Sequence, residues 1–391
     1  MQEFSKKIDL ASTMRLAVIL PSLAGGGMER MRIHMINEWV KQGLSVDLVI
    51  SKLDGPLSEL IPKNIQTFEV AKSNPFLFPL GFYHYLRTRN PTHILSAAND
   101  INAMVLLLVR LSRMRIPVVI SVHNHLGSEL NLAKGFEKLK LQITVWMLRR
   151  LVHLSQAVIS VSKGVEDDLK QQLGLSNSIS HVIYNPVITP ATHLFMEESI
   201  GESPVPDGTQ WILFVGRFVH AKGLDILLDA FEQMKNETCA HLVLMGDGPL
   251  GQNIADRVES LGLAQRIHMI GFRSNPLPWM KAADVLVLPS RHEGLGNVLI
   301  EALACGTKIV STDCPSGPSE ILKNGKFGRL VDPENSIELA KALLEALNDK
   351  FFNEDDLKNR AQSFTVKAAT NKYLDVMREV APNLRLPNSI L

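Results

Sequence analysis

The chain has 391 residues, 46% of them hydrophobic and 21% charged, with a net charge of +1. This length exceeds one ordinary core and predicts two domains, and the near-neutral balance gives no nucleic-acid signature. The three cysteines, Cys239, Cys305 and Cys314, are too few and too scattered for a disulfide framework or a cysteine metal site, which fits a reduced cytosolic compartment.

Residues 1–13 carry Lys6 and Lys7 but neither an apolar core nor a small-residue cleavage site, so they read as a tail and not as a signal peptide. Met14, at the edge of the first strand, is an alternative start. Strands are expected over residues 16–20, 46–50, 93–96, 118–122 and 157–161. A helix over 28–41 follows a glycine loop, and further helical stretches separate several of the strands. Strand–helix alternation of this kind predicts a parallel sheet covered on both faces. Residues 191–210, with Pro204 and Pro206, read as a linker. Alternation then restarts, with strands over 211–215, 241–245, 267–270, 285–288 and 308–311. Helices are expected from 224, over 252–261, and from about 297. The fold class is therefore α/β, with two doubly wound parallel-sheet domains. No apolar run reaches about eighteen residues, so a spanning helix is not expected.

The charge is unevenly divided. Residues 14–190 hold 19 Lys and Arg against 12 Asp and Glu, and residues 191–391 hold 20 against 26. A basic first half and an acidic second half suggest different partners, although solvated surface charge explains the same imbalance. In the basic half, apolar residues lie beside cations in the runs 76–83, 110–115 and 146–150. Such runs suit a protein resting on an anionic membrane surface; the alternative places the aromatics in the core.

In open parallel sheets, ligands bind outside the carboxyl ends of the strands, and the polar candidates fall there. Gly25-Gly26-Gly27 follows the first strand and permits close backbone approach to a phosphate or sugar, or is a flexible turn into a helix. It is not a Gly-x-Gly-x-x-Gly fingerprint, which argues against a dinucleotide oxidoreductase. His123-Asn124-His125 follows the strand at 118–122; with no third ligand visible, a metal site is not indicated. Gly216-Arg217 and Lys222-Gly223 bracket the loop after the strand at 211–215. An arginine fork and a lysine point charge beside glycines suit an anion such as a diphosphate. Gly246-Asp247-Gly248-Pro249 opens a helix. Gly271-Phe272-Arg273 ends another strand and offers an aromatic face to a base, or is an ordinary turn. Glu293 lies in a glycine-containing loop with Gly294, Leu295 and Gly296, and Glu301 stands eight residues on in the following helix. Carboxylates can grip sugar hydroxyls, and amides at a helix N-terminus favour negative charge.

Taken together, Gly216-Arg217-x4-Lys222-Gly223, Glu293-x7-Glu301 and Gly25-Gly26 resemble the family 4 retaining glycosyltransferases of GT-B fold over nearly the whole chain. The resemblance implies two Rossmann-like domains facing across a cleft: an acceptor domain (14–190) and a nucleotide-sugar domain (211–365), with residues 366–391 crossing back to the first. It assigns diphosphate neutralisation to Arg217 and Lys222, the ribose to Glu301 and the transferred sugar to Glu293. Amides of Gly294, Leu295 and Gly296 assist, residues 271–273 border the base, and His123 faces the reacting sugar. Leu295 stands where the family often has a bulky aromatic, and residues 314–321 are similar to members that build bacterial surface glycans on polyprenyl carriers.

The expected activity is thus transfer of a hexose or N-acetylhexosamine from a UDP-sugar to a saccharide acceptor carried on polyprenyl diphosphate. No cofactor and no metal are expected, since no Asp-x-Asp occurs. The expected location is cytoplasmic, with peripheral contact to the inner face of the membrane. A sugar-nucleotide epimerase, a phosphorylase of similar shape and a binding protein without transfer activity are the alternatives.

Overall fold

The computed structural model describes residues 14–23, 27–71, 74–348 and 353–381. The chain divides into two compact units, one of residues 1–186 with 366–391 and one of residues 187–365.

The first unit is built on a seven-stranded sheet. In chain order its strands are β1 (Arg15–Leu20), β2 (Ser45–Ile50), β3 (Gln66–Glu69), β4 (His93–Ala97), β5 (Val118–Val122), β6 (Ala157–Ser160) and β7 (Ser180–Val182). Their spatial order is β3-β2-β1-β4-β5-β6-β7, and every adjacent pair is parallel. The central strands are apolar on both faces because helices cover both; every residue of β4 and β5 is buried. The edge strands β3 and β7 were not expected. Gln-Thr-Phe-Glu and Ser-His-Val are only partly covered and carry no continuous apolar run.

The helix Val366–Val380 belongs to this unit. Ala369, Tyr373, Leu374, Val376 and Met377 join the core formed by Trp39, Leu16, Val18 and their neighbours. Trp39 Nε1 donates to the Thr370 carbonyl at 3.4 Å, and its ring meets Tyr373 edge-on at 6.0 Å.

The second unit repeats the design with six strands: β8 (Trp211–Val215), β9 (His241–Met245), β10 (Ile267–Gly271), β11 (Val285–Leu288), β12 (Lys308–Thr312) and β13 (Arg329–Val331). The spatial order is β10-β9-β8-β11-β12-β13, again parallel throughout. Strand order therefore reverses between β1 and β4 in one sheet and between β8 and β11 in the other.

Residues 191–210, expected as a linker, lie within this second unit. They carry the short helix Thr192–Met196, which packs on the helix Leu277–Ala282. Asn275 Nδ2 donates to the Phe195 carbonyl at 2.8 Å, and Lys281 pairs with Glu197 at 2.7 Å. Ile188 N donates to Phe364 O at 3.0 Å, joining the start of the unit to its end.

Candidate functional site

The reversal point of the second sheet gathers the expected donor-site residues. The apolar strand β8 ends at Val215, and the loop from Gly216 onward is stitched to its neighbours. Gly216 N donates to Met245 O at 3.0 Å, Phe218 N to Asp247 O at 2.8 Å, and Gly246 N to Gly271 O at 3.0 Å. The turns after β8, β9 and β10 thus form one hydrogen-bonded layer at the carboxyl ends of the strands.

Lys222 closes a 3-10 turn, His220–Lys222, ahead of the helix Leu224–Met234. Gly223 is left-handed (φ +62°), and a Cβ there would fall 2.1 Å from Pro289 O, so this turn packs directly on the loop after β11. Across that contact Lys222 Nζ lies 2.5 Å from Glu293 Oε1. The same oxygen accepts the Ser290 hydroxyl at 2.6 Å, while Thr312 Oγ1 donates to Ser290 O. Ser316 Oγ donates to the Glu293 carbonyl, fixing the loop from its other side. Arg217, in contrast, is exposed in the turn itself.

Glu301 lies on the helix Asn297–Cys305, half-buried, with Gly296 as its N-cap. Gly294, Leu295 and Gly296 lead into that N-terminus. The Leu295 side chain is buried, so what this position offers is backbone. Gly317 (φ +98°) sits against it; a Cβ there would lie 1.9 Å from Leu295 O. Gly271 ends β10, and beyond it Phe272 is 71% exposed beside an exposed Arg273, an open aromatic face at the strand end. Cys305 and Cys314 are buried; burial first, and then the negative charge of Glu301 or Glu293, pushes each thiol up to about 12. Both remain protonated thiols and not nucleophiles.

Sequence reasoning passed over Arg291. Its Nη1 and Nη2 bind Asp225 at 2.8 and 2.7 Å, its Nε and Nη2 bind Glu334, and Nη1 also donates to His220 O at 2.8 Å. The Arg291 amide donates to Ala221 O at 2.8 Å. One guanidinium therefore ties the Glu293 loop to the turn carrying Lys222. Its hydrogen bond holds the Asp225 carboxyl below the usual carboxylate range. The only signal in the sequence is the pairing of Asp225, just inside its helix, with an arginine two residues before Glu293.

In the first unit His123 follows β5, with Nε2 at 3.2 Å from Ser121 Oγ. Burial, reinforced by the charge of Arg32, pushes its pKa down to about 3, so the ring is neutral at physiological pH. Its two polar neighbours serve the local fold. Asn124 Nδ2 donates to Glu129 at 2.7 Å, and His125 Nδ1 accepts the Ser128 amide as the N-cap of the helix Leu126–Leu132. Gly25 and Gly26 lie outside the described residues.

The first unit also presents an apolar and basic surface. On the helix Gly135–Leu151, Phe136, Leu139, Ile143 and Trp146 are 52–77% exposed and recur at helical spacing on one face. Phe76 and Leu80 are exposed too, whereas Phe78 and Phe82 are core residues. Arg110, Arg113 and Arg115 line a cavity of about 560 Å³ with His153. No helix among the described residues is long and apolar enough to cross a membrane.

Comparison with known proteins agrees with this architecture. The family described as Glycosyltransferase Family 4 matches residues 25–189, and that described as Glycosyl transferases group 1 matches residues 195–364. The chain is 29% identical over 241 residues to the Campylobacter jejuni N-acetylgalactosamine-N,N'-diacetylbacillosaminyl-diphospho-undecaprenol 4-alpha-N-acetylgalactosaminyltransferase. That match covers 59% of this chain and 63%, somewhat under two thirds, of the relative. It is 25% identical over 280 residues to the alpha-D-kanosaminyltransferase of Streptomyces kanamyceticus, covering 68% of this chain and 71% of that one. Among solved structures, Anabaena HepE in complex with UDP superimposes with a TM-score of 0.72 at 21% identity, covering 94% of this chain and all of that one. Two parallel-sheet units of this order, matched in turn by the two families, establish the relationship: the chain belongs to the family 4 glycosyltransferases of GT-B fold.

Proposed function

We propose that this protein transfers a hexose or N-acetylhexosamine from a UDP-sugar to a saccharide acceptor, with retention of anomeric configuration. The observation that carries the proposal is the Lys222–Glu293 pair at the reversal point of the second sheet, with Arg217 exposed beside it. A cation and a carboxylate at one strand end match what a sugar diphosphate needs: a charge for the leaving group and an acceptor for sugar hydroxyls. In this reading the bond from the anomeric carbon to the diphosphate oxygen breaks. The acceptor oxygen bonds to the same face, and its proton passes to the leaving phosphate. Arg217, Lys222 and the amides of residues 294–296 meet the developing charge without a metal bridge, Glu301 holds the ribose, and Phe272 borders the base. His123, in the first unit, is a neutral ring.

UDP is favoured because Anabaena HepE, which shares the fold, was solved with it. A polyprenyl-diphosphate-linked acceptor is favoured because the Campylobacter relative is named for one, and because the helix Gly135–Leu151 turns an apolar face with flanking cations outward. The same face supports our reading of contact with an anionic membrane surface on the cytoplasmic side.

A thermal-shift series with UDP, GDP and ADP, and then with UDP-sugars, tests the donor, since a ligand of the folded state raises apparent stability by mass action. The expected result is stabilisation by UDP. Product anomer analysis by NMR then tests retention. Stabilisation by GDP or ADP alone overturns the donor assignment, and a UDP-sugar turned over without acceptor indicates an epimerase.

A further inference from the structure

At the amino end of β5, opposite the end that leads to His123, the first unit holds the cavity of about 560 Å³. The helix Asn99–Ser112 stops there, and the turn from it to Val118 carries Arg113 and Arg115. These two, Arg110 from the last helical turn and His153 are exposed along its wall, and the buried Val109 and Ile116 give it an apolar lining. Among the described residues no carboxylate lines the cavity, and none of the three guanidinium groups forms an ion pair or a hydrogen bond. The flanking sequence offers none either: residues 101–128 and 138–165 contain no Asp or Glu.

The turn is held by its own hydrogen bonds. Ser112 Oγ donates to Val109 O at 2.7 Å and accepts the Met114 amide at 3.2 Å, and Gln156 Oε1 accepts the Val118 amide at 2.7 Å. Arg113 caps the helix with left-handed backbone, φ +59°. Glycine or asparagine is the usual residue at such a cap, because a Cβ is strained there. The helix dipole accounts for one cation near this terminus, and Arg110 supplies it. Two further arginines, one of them where the backbone favours glycine, exceed that need.

We propose that this cavity binds a phosphate ester with a glycerol- or sugar-sized body. A tetrahedral phosphate offers oxygens to more than one guanidinium fork, whereas a single bidentate arginine already fills a carboxylate. The volume lies within the range of small-molecule sites, roughly 300–1,000 Å³, and the apolar lining suits the body of such an ester. Parallel sheets take their substrates at the carboxyl ends of the strands, so a site at the amino end is separate from that crevice. A soluble ester and a lipid headgroup share this chemistry. The inference stands on the first unit alone, whether or not UDP is the donor.

Titration calorimetry on the full chain, with glycerol 3-phosphate as the soluble probe, compares wild type with Arg113→Gly, Arg115→Gln and Lys222→Ala. Wild type and Lys222→Ala are expected to bind alike, since Lys222 belongs to the second unit. Arg113→Gly and Arg115→Gln should each weaken binding about tenfold or more, the scale of losing a hydrogen bond to a charged group. Arg113→Gly should do so with an equal or higher melting temperature, because glycine relieves the left-handed backbone. Arg115→Gln carries the test if that variant does not fold. Co-sedimentation with phosphatidylglycerol vesicles, against phosphatidylcholine vesicles, separates the two sources. Phosphatidylglycerol-dependent retention that the arginine variants lose assigns the lipid headgroup. Binding of the soluble probe without that difference assigns a free ester. Binding equal in wild type and both arginine variants, binding lost in Lys222→Ala, or no binding of either probe overturns the proposal.

Discussion

Lys222 and Glu293, seventy-one residues apart in sequence, meet at 2.5 Å between Nζ and Oε1, and Ser290 shares the same carboxylate oxygen. The pair links the loops after β8 and β11, the two strands that flank the reversal of strand order. Under the proposed function, a diphosphate beside Lys222 would compete with Glu293 for one ammonium and would release carboxylate capacity toward the sugar.

Lys222→Ala and Arg217→Ala are each expected to lower transfer about a hundredfold, the scale of losing a preorganised charge-stabilising group. Arg217→Ala should leave the melting temperature unchanged, since its side chain is exposed. Lys222→Ala and Glu293→Ala should be non-additive in a double-mutant cycle on kcat/KM, because each removes the partner of the other. Additive losses would mean that the pair does not act as a unit.

Glu301 and Glu293 are expected to separate by ligand. Glu301→Ala should weaken binding of UDP itself in titration calorimetry, as loss of a ribose contact requires. Glu293→Gln should leave UDP affinity near wild type and lower transfer. The reverse pattern exchanges their roles.

Gly317→Ala tests the loop that carries the amides of residues 294–296. The new Cβ would fall 1.9 Å from Leu295 O at a left-handed backbone position, so the loop must move. The expected cost is ~1–3 kcal/mol of stability, read as a lower urea midpoint, together with weakened donor binding. Unchanged donor affinity would show that the amides do not contribute.

Two histidines, the buried His93 and the half-buried His123, set an acid limit on stability. Burial lowers His123 from 6.5 to about 3 and His93 from 6.5 to about 4. Between these folded values and 6.5 the unfolded chain binds more protons than the native one, so stability rises with pH across that window. It is fully present above pH 6.5 and lost on acidification toward pH 3–4. Urea midpoints at pH 7 and pH 5 should show the fall, and His123→Gln should flatten it. A midpoint independent of pH between 7 and 5 would contradict the lowered values of both rings.

The exposed stripe of the helix Gly135–Leu151 predicts salt-sensitive adsorption to anionic vesicles. Ile143→Ser with Trp146→Ser should reduce co-sedimentation at least severalfold, each buried side chain contributing on the order of 1.5–3 kcal/mol, without lowering the melting temperature. Equal sedimentation of wild type and variant would exclude this face as the contact.

Much of the fold was legible because central parallel strands are buried on both faces, and runs such as Leu16–Leu20 or Val285–Leu288 are apolar throughout. Edge strands β3, β7 and β13 escaped because one side of an edge is left to solvent and loops, and polar residues suffice there. The motif residues Arg217, Lys222, Glu293 and Glu301 were visible as charged side chains at strand ends beside glycines. In the run 76–83, by contrast, the sequence left open which aromatics face water. Packing against the sheet decided it, burying Phe78 and Phe82 and leaving Phe76 and Leu80 outside.

The sequence by itself determined the alternation of strands and helices, the two sheets it builds, and which charged residues stand at the strand ends. These follow from local periodicity and turn chemistry, which act over a few residues. Only the tertiary structure decided that Lys222 grips Glu293 and that Arg291 binds the two loops together. It alone buried Arg32 against Ser121 and Tyr373. Such contacts join residues tens to hundreds of positions apart, and they arise when strand order and helix packing bring distant side chains within hydrogen-bonding distance.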